Sequence, residues 1–417
     1  MTIKIPKTMQ AVRLHGPSFD AIRVEEVPVP TPNDDQLLVQ VDAAGVCSSN
    51  LKIIAQGKEH ALLGGWDPSE HPITLGDEGC VTVVATGNRV AARYPVGQRY
   101  ATQPAVDHPP INHRECYRNN AEGMQKVAVG YTLPGHLAEY MLVTEETLAA
   151  ECLLPVASDE VPFFSGALCE PLSCVISAQD RHVHFSQQSP AASRIPALGI
   201  REGGIVVVIG AGPMGRLHAE AALRFRPRHL LVVDVADQRL DWARRVLVPR
   251  CAQSETQIHA VTADRCKEVL ARLSDGHGAD DVIVAVGIRE VQNDAQQLLG
   301  KGGVLNLFGG LKKGKHLLDL DSIRVHYQET KIVGSSGGSP ADVAEALRMC
   351  AAGELDPGQH LAMVGSLDQF PQALQLVKEQ LVDGRIVLYP QICTTPLVEV
   401  DSWDRAAERD FLQAHQP

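Results

Sequence analysis

No two of the ten cysteines stand in a C-x-x-C spacing, so neither a zinc ribbon nor a thioredoxin-like redox pair can be read from them. Aromatic residues are scarce, at 4%, which leaves no base-stacking platform. An excess of positive charge is also missing: 38 Lys and Arg face 50 Asp and Glu, a formal net charge of −12. Nucleic acid and anionic membranes both need a basic face, so neither is an expected partner. No run approaches the ~18 to 20 apolar residues of a spanning helix. The opening MTIKIPKTMQ lacks the apolar stretch of a secretory signal. The expectation is a cytoplasmic, soluble protein whose thiols are mostly free, small, buried hydrophobes.

What is present is a large apolar fraction. At 44% hydrophobic and 21% charged over 417 residues, the chain can bury an extensive core and is expected to form about two or three domains. The first third is β-rich. Met9–Leu14, Ile22–Val27, Leu37–Val41 and Val81–Ala85 are short β-branched or alternating runs, and helical periodicity is hard to find before about residue 165. From Gly204 the texture changes to strands at 205–209, 230–233, 282–286, 304–307 and 331–333, alternating with helix-like segments. That alternation predicts a parallel sheet with helices on both faces. Arg181–Arg201 and Pro104–Ala121 read as loop-rich connections, and Arg385–Tyr389 as a late strand. The architecture expected is an irregular β domain, a doubly wound α/β domain, and a return of the chain to the first.

The run Gly204-Ile-Val-Val-Val-Ile-Gly210-Ala-Gly212-Pro213-Met214-Gly215 is a buried strand followed by G-x-G-x-x-G and a helix. Gly210 permits the tight turn, Gly212 lets the backbone approach a pyrophosphate, and Gly215 allows close helix–strand packing. Asp234 ends Leu-Leu-Val-Val-Asp about 20 positions on, where a carboxylate bonds the ribose hydroxyls of NAD and repels a 2′-phosphate. NAD(H) is therefore expected over NADP(H), with Arg239 beside Asp234 among the cofactor-binding residues.

Ahead of this fingerprint lie Gly45-Val-Cys47-Ser-Ser49-Asn50, then Gly76-Asp77-Glu78-Gly79, then Gly135-His-Leu-Ala-Glu139-Tyr140. Together they resemble the zinc-dependent medium-chain dehydrogenase/reductase family, whose usual forms are G-x-C-x-[ST]-D, G-H-E and G-[GA]-[FY]-A-E-Y. Ala167-Leu-Cys-Glu170-Pro171-Leu-Ser is similar to the E-P segment of its sorbitol and polyol branch. Gly57-Lys-Glu-His60, Thr102-Gln-Pro-Ala and the segments at His326-Tyr327 and 333–339 look like those of L-sorbose 1-phosphate reductases. The resemblance implies a GroES-like catalytic domain over 1–180 and 346–417, and a Rossmann NAD-binding domain over 181–345. It also implies one catalytic zinc in the cleft between them. Carried over by position, Cys47, Asp77, Glu78 and Glu170 hold or adjust the metal, while Ser49 relays the alcohol proton. His60 either stands near the substrate or is a packing histidine. Zinc would polarise a substrate oxygen as hydride moves to or from the nicotinamide.

Two departures matter. The family's G-H-E histidine is Asp77 here, so the ligand set would carry four formal negative charges, which should tighten binding, weaken Lewis acidity and favour a protonated or water-separated Glu170. The family's aspartate after the serine is Asn50, and the two changes together suggest a paired exchange in which the Asn50 amide donates to Asp77. Only Cys116 lies where relatives carry four closely spaced cysteines, so no structural zinc is expected, and His108 and His113 read as loop residues. His182 and His184 receive no role, and Ser335–Ser339 either lines the nicotinamide end of the cleft or forms a glycine turn. The expected activity is oxidation or reduction at a secondary alcohol or ketone of a polyol, sugar or sugar phosphate by a homo-oligomer, dimer or tetramer. Sheet-edge pairing near Val304–Leu320 would build that oligomer. A metal-free quinone- or enoyl-type reductase and a catalytically silent nucleotide sensor are the rival readings.

Overall fold

The computed structural model describes residues 5–158, 160–312 and 314–416. The chain divides into two compact units, one of residues 1–173 with 339–417 and the other of residues 174–338.

In the first unit the strand Leu37–Gly45 is buried at eight of its nine positions and anchors the main sheet. A run this apolar has no solvent face to offer, so it becomes a central strand. It pairs antiparallel with Gly79–Thr86 and Tyr140–Val143, and at its far end with Arg385–Tyr389. The late strand Arg385–Tyr389, fully buried, thus sits beside residues some 340 positions earlier, with Leu361–Ser366 parallel on its other side. A smaller sheet pairs Thr8–Leu14 with Ile22–Pro28 and Ile73–Thr74. One early helix, Ser49–Gln56, escapes the sequence reading because it is only eight residues long, too short to show periodicity.

The second unit is a six-stranded parallel sheet ordered Gln257–Thr262, His229–Asp234, Ile205–Ile209, Ala279–Val284, Leu299–Leu307 and Lys331–Val333. Alternate residues of the inner strands feed two apolar layers. Val207, Leu231 and Val282 pack on one face, and Val206, Leu230 and Ile283 on the other. Two-sided burial is why these strands read as continuous aliphatic runs. Strand order reverses beside Ile205–Ile209, the point at which such sheets bind ligands at their carboxyl ends.

Two expectations are corrected. Val304–Leu307 is an inner strand, paired on both sides, and the edge is Lys331–Val333. The connection at 181–201 is a β-hairpin, with Val183–Ser186 antiparallel to Ile195–Leu198. Its polar, proline-bearing composition hid it.

Candidate active site

The turn after Gly45 delivers Cys47, and the helix that follows starts at Ser49. The loop leading into Gly79–Thr86 delivers Asp77 and Glu78, 7% and 0% exposed. These two segments are adjacent because their strands pair, Ala44 opposite Gly79. One ligand atom each of Cys47, Asp77 and Glu78 fall within 4.8 Å of one another. Glycine is required at 45, since a Cβ there would sit 2.0 Å from Glu78 Oε2.

The electrostatics of this group are unfavourable as it stands. Burial, then the charges of Asp77 and Glu78, push the Cys47 thiol well up. Burial, then Glu78, raise Asp77 to about 6, against a pull from Ser49 in the other direction. Asp77 Oδ2 accepts a 2.6 Å hydrogen bond from the Ser49 hydroxyl, while its buried Oδ1 has no partner. An orphaned carboxylate oxygen beside a thiol costs on the order of 1–3 kcal/mol, and a divalent cation reverses every one of these penalties. A thiol and carboxylates so placed are a zinc donor set, so the residues present fit the metal.

Glu170 lies on the helix Phe163–Asp180, and its charge is felt at Cys47, Tyr131 and Arg385. Arg385 is the residue that sequence reasoning missed. Its guanidinium, 7% exposed, bonds both carboxylate oxygens of Glu78. The fourfold anionic set expected from the sequence therefore has a built-in cation, and Glu78 faces Arg385 with both oxygens. Tyr131, also unanticipated, is hydrogen-bonded to Ser49, and burial drives its phenol up. His60 stacks on Tyr131 with ring centroids 5.4 Å apart, and its Nδ1 accepts from Leu62 N–H. Burial, then Lys52, lower its affinity for a proton. Ser49, Tyr131 and His60 thus run in series away from Asp77.

The proposed exchange between Asn50 and Asp77 is not what the structure shows. The Asn50 amide donates to the Cys47 carbonyl at 3.0 Å, and the donor to Asp77 is Ser49. The physical reason is local: at the first turn of a helix an amide three residues on reaches the free carbonyl behind it. His108 and His113 lie exposed at positive φ, the latter 3.7 Å from Glu115. Ser339 caps the helix Pro340–Ala351 through a capping box with Asp342, which gives the end of the 335–339 run a structural task.

In the second unit Gly210 adopts φ +103° and a Cβ on Gly215 would meet the Gly210 carbonyl at 1.6 Å, so neither position accepts a side chain. A Cβ on Gly212, the N-cap of Pro213–Ala222, would meet nothing within 4 Å. The loop is open where a pyrophosphate would lie and closed where helix meets strand. Asp234 ends its strand 5% exposed, with Oδ2 taking the Ala211 amide at 2.8 Å and Oδ1 the Ala236 amide at 2.9 Å. Arg239 Nη1 stands 4.0 Å from Asp234 Oδ2, and Met214 is half-buried beside Gly215. A second ligand-type trio lies here: His182 Nδ1 and His184 Nε2 bond Asp281 Oδ1 at 2.6 and 2.9 Å, and Oδ2 takes the Arg201 amide at 2.9 Å.

A GroES-like β unit holding a trio of ligand-type side chains, with a Rossmann unit holding a dinucleotide fingerprint, defines an oxidoreductase of the dehydrogenase class. The family model for the alcohol dehydrogenase GroES-like domain matches residues 33–153, and that for zinc-binding dehydrogenase matches residues 213–352. L-sorbose 1-phosphate reductase of Klebsiella pneumoniae is 31% identical over 352 residues, 83% of this chain and 80% of its own length. Mannitol-1-phosphate 5-dehydrogenase of Aliivibrio fischeri is 28% identical over 396 residues, 93% and 88% of the two chains. Galactitol-1-phosphate dehydrogenase from Escherichia coli shares the fold, with a TM-score of 0.68 at 22% identity over 92% of this chain and 100% of that one. The chain belongs to the zinc-dependent medium-chain dehydrogenase/reductase family. No helix among the described residues is long and apolar enough to cross a membrane.

Proposed function

We propose that the protein is an NAD-dependent, zinc-assisted dehydrogenase/reductase acting on a secondary alcohol or ketone of a polyol, sugar or sugar phosphate. The observation that carries this reading is the unpartnered, buried Asp77 Oδ1 beside Cys47 and the Ser49 hydroxyl. The names of the relatives supply the substrate class. Cys47, Asp77 and Glu170 would hold the metal, with Glu78 balancing its charge from the Arg385 side. Bound zinc supplies Lewis-acid polarisation of the substrate oxygen. Ser49 would relay the alcohol proton: its oxygen accepts that proton as its own hydrogen passes to Asp77 Oδ2, the acceptor it already faces. Tyr131 is hydrogen-bonded to Ser49 and His60 packs against Tyr131, so both hold the relaying hydroxyl in place and His60 serves the reacting hydroxyl through its neighbours. Gly210, Gly212, Pro213, Met214 and Gly215 cradle the pyrophosphate. Asp234 takes the ribose hydroxyls and disfavours a 2′-phosphate, which selects NAD(H) over NADP(H).

Ten free cysteines suit a reducing cytoplasm. Exposed Leu317, Leu320, Ile323 and Tyr327, near the Lys331–Val333 edge, suit contact with a second copy.

Metal analysis with NAD turnover on a polyol and polyol-phosphate panel, before and after chelation, tests the reading. One zinc per chain and chelator-sensitive turnover are expected. Full turnover without metal would replace it with a metal-free reductase, and tight NAD binding without turnover would replace it with a sensor.

A further inference from the structure

The helix Phe163–Asp180 that carries Glu170 has two weak points. Its first amides have no partner within the helix, and Pro171 interrupts the hydrogen-bond ladder one residue after Glu170. The helix runs on through Pro171 with one ladder bond fewer, and the turn that leads into Glu170 takes outside support at its start. That support comes from the far end of the chain. Glu408, on the helix Arg405–Ala414 and 4% exposed, accepts the Phe163 amide on Oε2 and the Phe164 amide on Oε1, both at 2.8 Å. A carboxylate there also meets the positive end of the helix dipole.

The same carboxylate has a second hold. Glu408 Oε1 accepts the Tyr389 hydroxyl at 2.9 Å, and Trp403 Nε1–H donates to that hydroxyl at 2.8 Å. Phe411 packs on both rings, with centroids 5.8 and 5.6 Å away. Tyr389 ends the strand that begins at Arg385, the partner of Glu78. One buried side chain thus bridges the helix bearing Glu170 and the strand bearing Arg385.

We propose that Glu408 is a positioning residue for the metal site, setting the distance between Glu170 and the Arg385–Glu78 pair. Its link to a metal rests on the function proposed above, whereas its mechanical coupling of the two elements does not. Glu408 touches neither substrate nor cofactor and acts only through the elements it ties together.

The test uses full-length Glu408→Gln and Glu408→Ala, with Arg405→Ala, on the same helix as Glu408, as a control that breaks only its exposed contact to Glu160. Zinc affinity is read by chelator competition, and the cobalt-substituted protein by its visible spectrum. Amide exchange is followed over 163–170 and 385–389. The Gln variant keeps shape and one acceptor and guards against simple misfolding in the Ala variant. Expected are a roughly tenfold loss of zinc affinity in Glu408→Ala with partial rescue in Gln, an altered cobalt spectrum, and faster exchange in both segments together. The KM for NAD should not move. Faster exchange confined to 405–414, with zinc affinity and spectrum as in wild type, would overturn the proposal. If wild type binds no metal, the reading as a zinc enzyme fails, and joint exchange in the two segments still decides whether Glu408 couples them.

Discussion

Two trios of ligand-type side chains are built alike and behave oppositely. Cys47, Asp77 and Glu78 gather in the first unit, and His182, His184 and Asp281 in the second, each with three ligand atoms within 4.8 Å. In the second trio every contact is complementary. Two imidazoles and one amide converge on a single carboxylate, and Asn306 Nδ2 lies 3.2 Å from His182 Nε2. In the first, like charges crowd together, a carboxylate oxygen is orphaned, and both Cys47 and Asp77 are held away from their charged forms. Proximity of ligating atoms therefore does not mark a site. Orphaned polar atoms also occur elsewhere, as at Gln103, His218 and Asn306, so what distinguishes the first trio is an orphaned carboxylate oxygen lying beside a thiol and a second carboxylate.

The contrast breaks most readily at the first trio. Cys47→Ala or Asp77→Ala should lower kcat/KM about 1,000-fold, some 4 kcal/mol in the barrier, while the metal-free protein melts no lower than wild type. Parallel turnover and calorimetry check this, and a large drop in melting temperature with turnover intact would reverse the roles of the trios. Next in size is Arg385→Met, which strands the Glu78 charge and should cost about 3 kcal/mol of stability. Urea unfolding measures it, and adding Glu78→Gln should recover most of the loss.

A third effect is pH-dependent and belongs to the support beneath Asp77. His136 is fully buried between the Gly76 carbonyl and Thr102, and burial lowers it to about 4. A Cβ on Gly79 would sit 2.1 Å from its ring, so the imidazole fills the turn that presents Asp77 and Glu78. A lowered folded value means that the stability this group contributes is complete above about pH 6.5 and is lost as pH falls toward 4. The loss reaches about 3 kcal/mol over that window. Unfolding curves of wild type and His136→Gln at pH 7 and 4.5 isolate it, since only wild type should carry this slope.

The folds of both units were legible because aliphatic runs, glycine signatures and short motifs are local. The Gly210–Gly215 loop sits in a spacing whose chemistry follows from a few neighbouring residues, whereas roles for Cys47, Ser49 and Asp77 came only from the resemblance of their short motifs to the dehydrogenase family. Arg385 was not legible, since it meets Glu78 across 307 positions and nothing near it signals a buried ion pair. Glu408 joins Phe163 across 245 positions and is hidden for the same reason. Asn50 was misread because a plausible distant partner outweighed the carbonyl three residues back. His182 and His184 offered a signal that went unused: two histidines flanking Val183 place both rings on one face of a strand.

The smallest effect completes the contrast. Asp281→Asn keeps the shape of the second trio but removes its charge and turns an NH2 group toward one of its three donors. Either one N–H is then left unpaired or an imidazole must change tautomer, so a stability loss of about 2 kcal/mol is expected. Turnover of the folded fraction and zinc per chain should equal wild type, because nothing in this trio awaits a ligand. Zinc content measured beside the unfolding curve decides between the two uses of the same residue types. A fall of one zinc per chain would show that saturation by hydrogen bonds had been mistaken for the absence of a metal. Unchanged zinc with lowered stability would confine the role of these histidines to fastening the 183–198 hairpin to the parallel sheet through Asp281.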